Sequence, residues 1–334
     1  MKLAVAHRDR LTREALRRTL AHGEHELLWS VEDQAQMERA CRRSPPDLLL
    51  AELDLLGHEA EGLPRQARHG TSVIALVSNR SDGAGYEALG HGALGLLEPP
   101  RLEESGEVVG AARTLAVIHR LGVLVRDSQA AQAPASPPAP ARDGRHARIL
   151  ALGASTGGPL ALARILAGLP ASLDAAVVIV QHIESEFVAG LAEWLASQSP
   201  MPVAIAQRGE APEPGRAYLA GGSGHLVMLP SLQFGQRPAR EGELHIPSVD
   251  QLFLSLAAHA APGTAAVLTG MGSDGALGLA EMRRRGWHTV AQDEASSVVY
   301  GMPRAALDAG GVQQTLGLAQ IAPHLVRHLQ GRSA

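Results

Sequence analysis

Short apolar runs alternate with amphipathic stretches along most of the chain. In the first part, three runs have the length of buried strands: residues 3–6, 47–53 and 72–77. Two stretches there repeat apolar residues with helical periodicity: residues 11–21 and 103–121. Alternation of this kind predicts an α/β fold, in which parallel sheets are doubly wound with right-handed crossovers.

The second part repeats the alternation. Its predicted strands are residues 148–153, 175–181, 217–220, 265–269 and 288–292. Its predicted helices are residues 159–169, 186–197, 249–261, 276–285 and 316–329. Doubly wound sheets bind ligands outside the carboxyl ends of their strands, so we expect the chemistry at that edge.

Residues 128–146 interrupt the pattern. They are rich in Ala, Pro and Ser, and their apolar residues have no periodicity. Such a segment cannot bury enough apolar surface to fold, and its prolines keep it extended. We therefore predict two doubly wound domains, residues 1–127 and 147–334, joined by a flexible linker at 128–146.

Composition narrows the class of protein. The net charge is −4 and Lys and Arg form no long runs, which argues against nucleic-acid binding. The single Cys41 excludes an intramolecular disulfide, as is usual in a reducing cytoplasm. The first apolar run is too short for a signal peptide, and no run approaches the roughly 20 residues that span a bilayer. We expect a cytoplasmic protein with no membrane insertion.

The first candidate for chemistry is Ser155, in a glycine-rich turn between a predicted strand and a predicted helix. Residues 153–157 fit G-x-S-x-G, and amide groups at a helix N-terminus can stabilise an oxyanion. The alternative is a phosphate- or dinucleotide-binding turn, although the full G-x-G-x-x-G and the P-loop lysine are missing. The pentapeptide alone leaves both interpretations open.

Two more strand ends carry polar residues. An apolar strand ends immediately before His182, and another runs into a glycine-rich turn that contains Asp274. In isolation, His182 could be structural and Asp274 an ordinary helix N-cap. Together with Ser155 they supply a nucleophile, a general base and a carboxylate that orients the base. The order Ser, His, Asp differs from the Ser, Asp, His order of the α/β-hydrolases.

Residues 153–159, 181–182 and 268–275 resemble the three catalytic motifs of the chemotaxis methylesterase (CheB) family. Three further stretches also resemble the family: AYLAGGSGH at 217–225, PSVD at 247–250 and AQDEASSVVYGMPR at 291–304. The resemblance covers nearly all of residues 147–331. It implies a serine hydrolase that removes methyl groups from glutamate methyl esters on the cytoplasmic helices of chemoreceptors. Some members also deamidate receptor glutamines.

The resemblance gives Ser155, His182 and Asp274 the triad roles. It places Thr156 and Met271 in the active-site wall, and we expect the neighbouring Gly157 and Gly272 to belong to the oxyanion site or pocket as well. The implied reaction needs neither a metal nor an organic cofactor. Three other histidines lack the close spacing of metal ligands, and we expect His225 to be a pocket or turn residue and His245 and His288 to be structural.

Residues 1–120 resemble a response-regulator receiver domain in layout, but the functional positions differ. His7 and Arg8 replace the acidic pair that would hold Mg²⁺, Glu52 stands at the phosphoacceptor position and Pro99 at the lysine position. Ser78 matches the hydroxyl residue that contacts phosphate.

Asp54 should share the strand face of Glu52, but two residues farther along. We predict a degenerate receiver that is not phosphorylated and docks a protein partner, such as a chemosensory histidine kinase. A misaligned but working receiver is the alternative. For the whole chain, the alternative is a non-catalytic adaptor, which the intact triad disfavours.

Overall fold

The computed structural model describes residues 1–21, 25–56, 72–76, 83–90, 93–103, 105–127, 148–240 and 242–331. The chain divides into two compact units, Met1–Asp127 and Ser128–Ala334. The predicted linker lies outside the described residues. Among the described helices, none combines the length and the apolar character that crossing a bilayer requires.

The first unit is built on one parallel sheet. Its strands are β1 (Lys2–Ala6), β2 (Glu26–Val31), β3 (Leu48–Glu52), β4 (Ser72–Leu76) and β5 (Gly95–Leu97), and their order is β2-β1-β3-β4-β5. Its helices are α1 (Arg10–Ala21), α2 (Gln34–Arg43), α3 (Gly83–Gly90) and α4 (Ala111–Asp127). The predicted α/β fold is confirmed here, because the order reverses between β1 and β3 as in doubly wound sheets.

The predicted helix over residues 103–121 is wrong at its start. Two short strands, β6 (Arg101–Leu102) and β7 (Val108–Val109), pair antiparallel before α4 begins. Gly106 and Gly110 have φ values of +84° and +89°, in the left-handed region that favours glycine. These glycines turn the chain where the periodicity of the apolar residues had indicated a continuous helix.

The second unit contains a seven-stranded parallel sheet. Its strands are β8 (Ile149–Ala154), β9 (Ala176–Gln181), β10 (Val203–Ile205), β11 (Ala217–Leu219), β14 (Thr264–Val267), β15 (His288–Gln292) and β16 (Gln314–Leu316). Their order is β10-β11-β9-β8-β14-β15-β16. A separate antiparallel hairpin is formed by β12 (Gly224–Met228) and β13 (Phe234–Pro238).

Helices cover both faces of this sheet: α5 (Gly158–Ala167), α6 (Val188–Gln198), α7 (Val249–His259), α8 (Ala276–Arg284), α9 (Met302–Asp308) and α10 (Leu318–Gly331). Every residue of β8 and β9 is buried, as expected for strands that are covered on both faces. The five predicted strands and five predicted helices of this part are confirmed with small shifts at their ends. The hairpin, β10, β16 and α9 were not predicted.

The strand order locates the crevice of the second unit. From β8 the chain first adds strands on one side, through β9, and later on the other side, through β14. Ligands of doubly wound sheets bind at such a reversal, outside the carboxyl ends of the strands. Ser155 directly follows β8, His182 directly follows β9, and Asp274 lies in the turn after β14.

Candidate active site

The turn between β8 and α5 carries Ser155. Gly157 is the N-cap of α5 and has a φ of +78°, a left-handed conformation that favours glycine. A Cβ atom at this position would also lie 2.6 Å from the Cβ of Val298. The turn therefore holds Ser155 at a helix N-terminus, where the amide groups of Thr156 and Gly157 are candidate donors to an oxyanion.

The segment after β14 packs directly against Ser155. The amide of Ser155 donates to the carbonyl of Thr269 at 3.0 Å. A Cβ on Gly270 would lie 2.7 Å from the Cβ of Ser155 and would collide with Met302 Sδ, so only glycine fits there. The Thr269 hydroxyl donates to the carbonyl of Thr156 at 2.8 Å, which ties the two strand ends together.

His182 is held through its backbone beside the turn that carries Ser155. Its amide donates to Ala154 O at 3.0 Å, and the Gln181 side-chain amide donates to Ser155 O at 2.9 Å and to His182 O at 3.0 Å. The imidazole Nε2 lies 2.7 Å from Asp274 Oδ2. Within the described part of the chain, no hydrogen bond joins Ser155 Oγ to this ring. With Nε2 engaged by the acid, Nδ1 is the ring nitrogen that is left to act as a base.

Asp274 lies at the N-terminus of α7. Its side chain is 4 % exposed and accepts from the amides of Val249 at 2.6 Å and Asp250 at 2.9 Å. It also accepts from the Ser248 hydroxyl at 2.9 Å and the Gly275 amide at 3.1 Å. A carboxylate at a helix N-terminus satisfies amides that have no partner in the helix and meets the positive end of its dipole.

These contacts decide the protonation state of Asp274. Burial by itself would raise the pKa of this carboxyl group. The hydrogen bond and charge of His182, the charge of His245 and the Asp250 amide outweigh burial, and the pKa lies well below its usual range. Asp274 is therefore ionised at neutral pH and orients the His182 ring through Nε2.

Asp250 is the counterpart of Asp274. It lies in the first turn of α7, but its Oδ1 accepts from the amide of Gly278 in the first turn of α8 at 2.7 Å. Asp274, which precedes α8 in the chain, thus caps α7, and Asp250 of α7 caps α8. Burial and the neighbouring charge of Asp274 raise the pKa of Asp250 to about 7.

His245, which the sequence had indicated as structural, lies on the face of His182. The ring centroids are 4.5 Å apart and the planes differ by 16°. The ligand atoms of His182, His245 and Asp274 lie within 4.8 Å of one another, as a metal site would require. The rings are stacked, however, so their in-plane lone pairs do not converge on one point, and Asp274 already accepts five hydrogen bonds. The geometry favours a hydrogen-bonded His182–Asp274 pair over a metal site.

The other predicted pocket residues lie on the same side. Met271 is half-buried, and Gly272 has a φ of +80°. A Cβ on Gly272 would lie 3.7 Å from the His245 ring, so this turn forms the wall next to the stacked histidines. His288 is at the amino end of β15, on the opposite edge of the sheet, where its Nε2 lies 2.7 Å from His324 Nε2.

The carboxyl edge of the first sheet holds a different network. The Arg8 amide donates to Glu52 Oε2 at 2.7 Å, and the Arg8 guanidinium donates to Asp54 at 3.1 Å. Asp54 is not on the strand as predicted, because β3 ends at Glu52 and a 3₁₀ turn follows. Asp9 is used elsewhere, since it accepts from the Thr12 amide at 2.7 Å.

These residues do not fit a magnesium ion. Mg²⁺ requires several oxygen ligands in near-octahedral geometry, whereas Arg8 brings a cation to this place. Burial lowers the pKa of His7, and its Nδ1 accepts from the Asp9 amide at 3.0 Å, so His7 is a neutral neighbour of Glu52. Pro99 is half-buried and has no side-chain donor. Ser78 lies outside the described residues.

Comparison with known proteins points to one family. Residues 150–325 match the family model described as CheB methylesterase. The chain is 39% identical over 338 residues to the protein-glutamate methylesterase/protein-glutamine glutaminase 2 of Burkholderia pseudomallei (strain 1710b), with 99% of this chain and 98% of that protein covered. It is 37% identical over 334 residues to the protein-glutamate methylesterase/protein-glutamine glutaminase 1 of Pseudomonas fluorescens (strain Pf0-1), with 98% of each covered.

A solved structure agrees with these relatives. The crystal structure of the Thermotoga maritima CheB methylesterase catalytic domain is 31% identical in sequence, with a TM-score of 0.53. The match extends over 55% of this chain and 100% of the Thermotoga maritima chain. The match corresponds in size to the second unit alone.

The raised pKa of Asp250 predicts a pH dependence of stability. Between about pH 4 and about pH 7 the folded chain binds a proton at Asp250 that the unfolded chain has lost, so stability falls as pH rises. Asp250→Asn cannot ionise and should remove this decline, which is at most about 1.4 kcal/mol per pH unit. Urea unfolding across this range measures it, with Asp174→Asn at an exposed site as the control. If the free energy of unfolding falls with pH equally in Asp250→Asn and in the wild type, the raised pKa of Asp250 is contradicted.

Gly270→Ala tests the close approach to Ser155. The added methyl group should destabilise the fold by about 1–3 kcal/mol and displace Ser155, lowering the rate of ester hydrolysis. Gly317→Ala is the matched control, because its Cβ would have no neighbour closer than 3.4 Å. Thermal unfolding and ester turnover are measured on both variants. If Gly270→Ala keeps the stability and the hydrolysis rate of the wild type, the close approach of Gly270 to Ser155 is unimportant.

Proposed function

The chain belongs to the CheB methylesterase family, and we propose that it hydrolyses glutamate methyl esters on the cytoplasmic helices of chemoreceptors. The observation that carries the proposal is the buried contact of 2.7 Å between His182 and Asp274, at strand ends that adjoin Ser155. A serine hydrolase of this type combines a serine at a helix N-terminus, an imidazole next to it and an ionised acid that orients the imidazole. Ser155, His182 and Asp274 provide these three groups. The protein-glutamate methylesterase names of its relatives support the choice of substrate.

The proposed first half-reaction forms an acyl-enzyme. Ser155 Oγ attacks the γ-carbonyl carbon of the methylated glutamate while His182 takes the hydroxyl proton. Asp274 stabilises the imidazolium that results. The oxyanion faces the amides of Thr156 and Gly157. Collapse of the tetrahedral intermediate breaks the bond to the methoxy oxygen, and His182 returns its proton to that oxygen, so methanol leaves.

The second half-reaction regenerates the enzyme. A water molecule gives a proton to His182 and attacks the acyl carbon, and the bond to Ser155 Oγ then breaks. Ser155 recovers its proton from His182, and the receptor glutamate leaves with a free carboxyl group, which ionises. Apart from the substrate and water, the proposed steps use the side chains of Ser155, His182 and Asp274 and two backbone amides.

We extend the proposal to receptor glutamines. A glutamine side chain would give the same acyl-enzyme with ammonia as the leaving group, and the same hydrolysis would yield glutamate. The relatives' names join protein-glutamine glutaminase to methylesterase, which supports one site for both reactions.

We further propose that the first unit is a degenerate receiver that is not phosphorylated at Glu52. Phosphoryl transfer to a receiver requires an aspartate acceptor and a bound Mg²⁺. Here the acceptor position is a glutamate that accepts from the Arg8 amide, and Arg8 pairs with Asp54 at 3.1 Å. A protein partner such as a chemosensory histidine kinase, rather than phosphate, is the proposed ligand of this unit.

Replacing the nucleophile tests the main proposal. Ser155→Ala should lower methanol release from methylated receptor membranes by about 10⁴-fold or more, because no acyl-enzyme can form. Ser231→Ala, an exposed serine of the β12–β13 turn, is the matched control and should keep the wild-type rate. If Ser155→Ala releases methanol at the wild-type rate, the mechanism is wrong.

Incubation with acetyl phosphate and Mg²⁺ tests the first unit. We expect neither incorporation of phosphate nor a change in the rate of methanol release. A receiver domain that accepts phosphate from acetyl phosphate serves as the positive control. Labelling of the chain, or a change in its esterase rate, would refute the proposal for this unit.

A further inference from the structure

We propose that His225 is a positioning residue of the active site, which fixes Asp274 through Ser248 so that the acid meets His182 in a single geometry. This inference rests on the proposed function, because it assigns His225 a part in the same triad. His225 does not touch the reacting groups. It lies on β12, in the hairpin that is separate from the main sheet.

The hydrogen bonds of His225 define its tautomer. The ring is 1 % exposed, and its Nδ1 lies 3.1 Å from the backbone amide of Ser248. An amide can only donate, so Nδ1 carries the lone pair and Nε2 carries the proton. Nε2 lies 2.7 Å from Glu243 Oε2 and donates to it. His225 therefore joins a carboxylate on one side to the start of α7 on the other.

Glu243 is a fixed acceptor. Its Oε1 accepts from Arg237 at 2.6 Å and its Oε2 from the Arg240 amide at 2.8 Å. The Arg237 bond, followed by the Arg240 amide and His225, lowers the pKa of Glu243 to about 2. The carboxylate remains ionised over the working range of an enzyme and keeps the His225 proton on Nε2.

Ser248 connects His225 to Asp274. It is the N-cap of α7, and its hydroxyl accepts from the Gln251 amide at 3.3 Å while it donates to Asp274 Oδ1 at 2.9 Å. The amide of the same residue is the group that His225 holds. The series of contacts thus runs from Glu243 through His225 and Ser248 to Asp274, and from there to His182.

The hairpin gives His225 a rigid base. Leu226, Met228 and Phe234 of the hairpin belong to the same core cluster as Val249 and other apolar residues of α7. The Met228 amide also donates to Ser255 Oγ of α7 at 2.8 Å. Because the hairpin and α7 pack as one body, a small shift of the His225 ring would move the first turn of α7 directly.

If His225 had only a structural role, polar side chains of similar size would all change the kcat of the enzyme to the same extent. Two substitutions separate a structural role from a positioning role. His225→Asn places its Oδ1 where Nδ1 was and can still accept from the Ser248 amide. His225→Gln can still reach Glu243 but leaves the Ser248 amide without its acceptor.

The kinetic test compares both variants on methylated receptor membranes. For His225→Gln we expect kcat to fall about 10- to 100-fold with KM nearly unchanged, because the substrate does not touch His225. For His225→Asn we expect kcat within about threefold of the wild type. Equal losses of kcat in the two variants, or a wild-type kcat in His225→Gln, would overturn the proposal.

A measurement that needs no substrate separates this inference from the proposed function. In proton NMR spectra of the full chain, the hydrogen-bonded ring proton between His182 and Asp274 should give a downfield signal. We expect His225→Asn to keep this signal and His225→Gln to lose it. Asp274→Asn identifies the signal by removing it. If His225→Gln keeps the signal, His225 does not position Asp274, whatever the natural ester is.

If the two His225 variants show this pattern but the wild type releases no methanol from methylated receptors, the proposed substrate fails and the positioning role stands. Nitrogen-15 shifts of the His225 ring add a second check, because we expect a protonated Nε2 and an unprotonated Nδ1. A protonated Nδ1 would contradict the hydrogen bond from the Ser248 amide and overturn the proposal.

Discussion

The site depends on a buried carboxylate that is held at the N-terminus of a helix. Asp274 has almost no contact with water, and an isolated carboxyl group in that position would take up a proton. The amides of Val249 and Asp250 at the start of α7 replace water as donors and keep the charge. An ionised Asp274 is what gives the His182 ring one orientation.

The same constraint explains how the elements around the site fit together. The reversal of strand order next to β8 brings the ends of β8, β9 and β14 to one crevice, and the α7 N-terminus closes it from the side of the acid. Asp250 and Asp274 exchange caps between α7 and α8, so neither helix can shift without disturbing the other. In the first unit, by contrast, Asp54 pairs with the guanidinium of Arg8.

The positions of the strands and of the three central residues could be predicted from the sequence, because both signals are local. A buried parallel strand is a continuous apolar run, and a polar residue directly after it lies at the carboxyl edge. Asp274 was open to a second interpretation as an ordinary N-cap. It does cap a helix, but the helix is α7, which precedes it in the chain. No local pattern shows which helix end a side chain meets across the fold.

Two contacts around His182 and Asp274 were not predictable for the same reason. His245 stacks on His182 and His225 reaches Ser248, and in both cases the partners are far apart in the sequence. The hairpin that carries His225 consists of short strands with little alternation, and Gly106 and Gly110 broke a stretch whose periodicity indicated a helix.

The most direct test of this account is the protonation of Asp274, followed through its carboxyl carbon-13 shift during an NMR pH titration of the full chain. The account predicts that Asp274 stays ionised far below the ordinary aspartate pKa of 3.8, down to the lowest pH at which the fold persists. A titration of Asp274 at or above that ordinary value would contradict it.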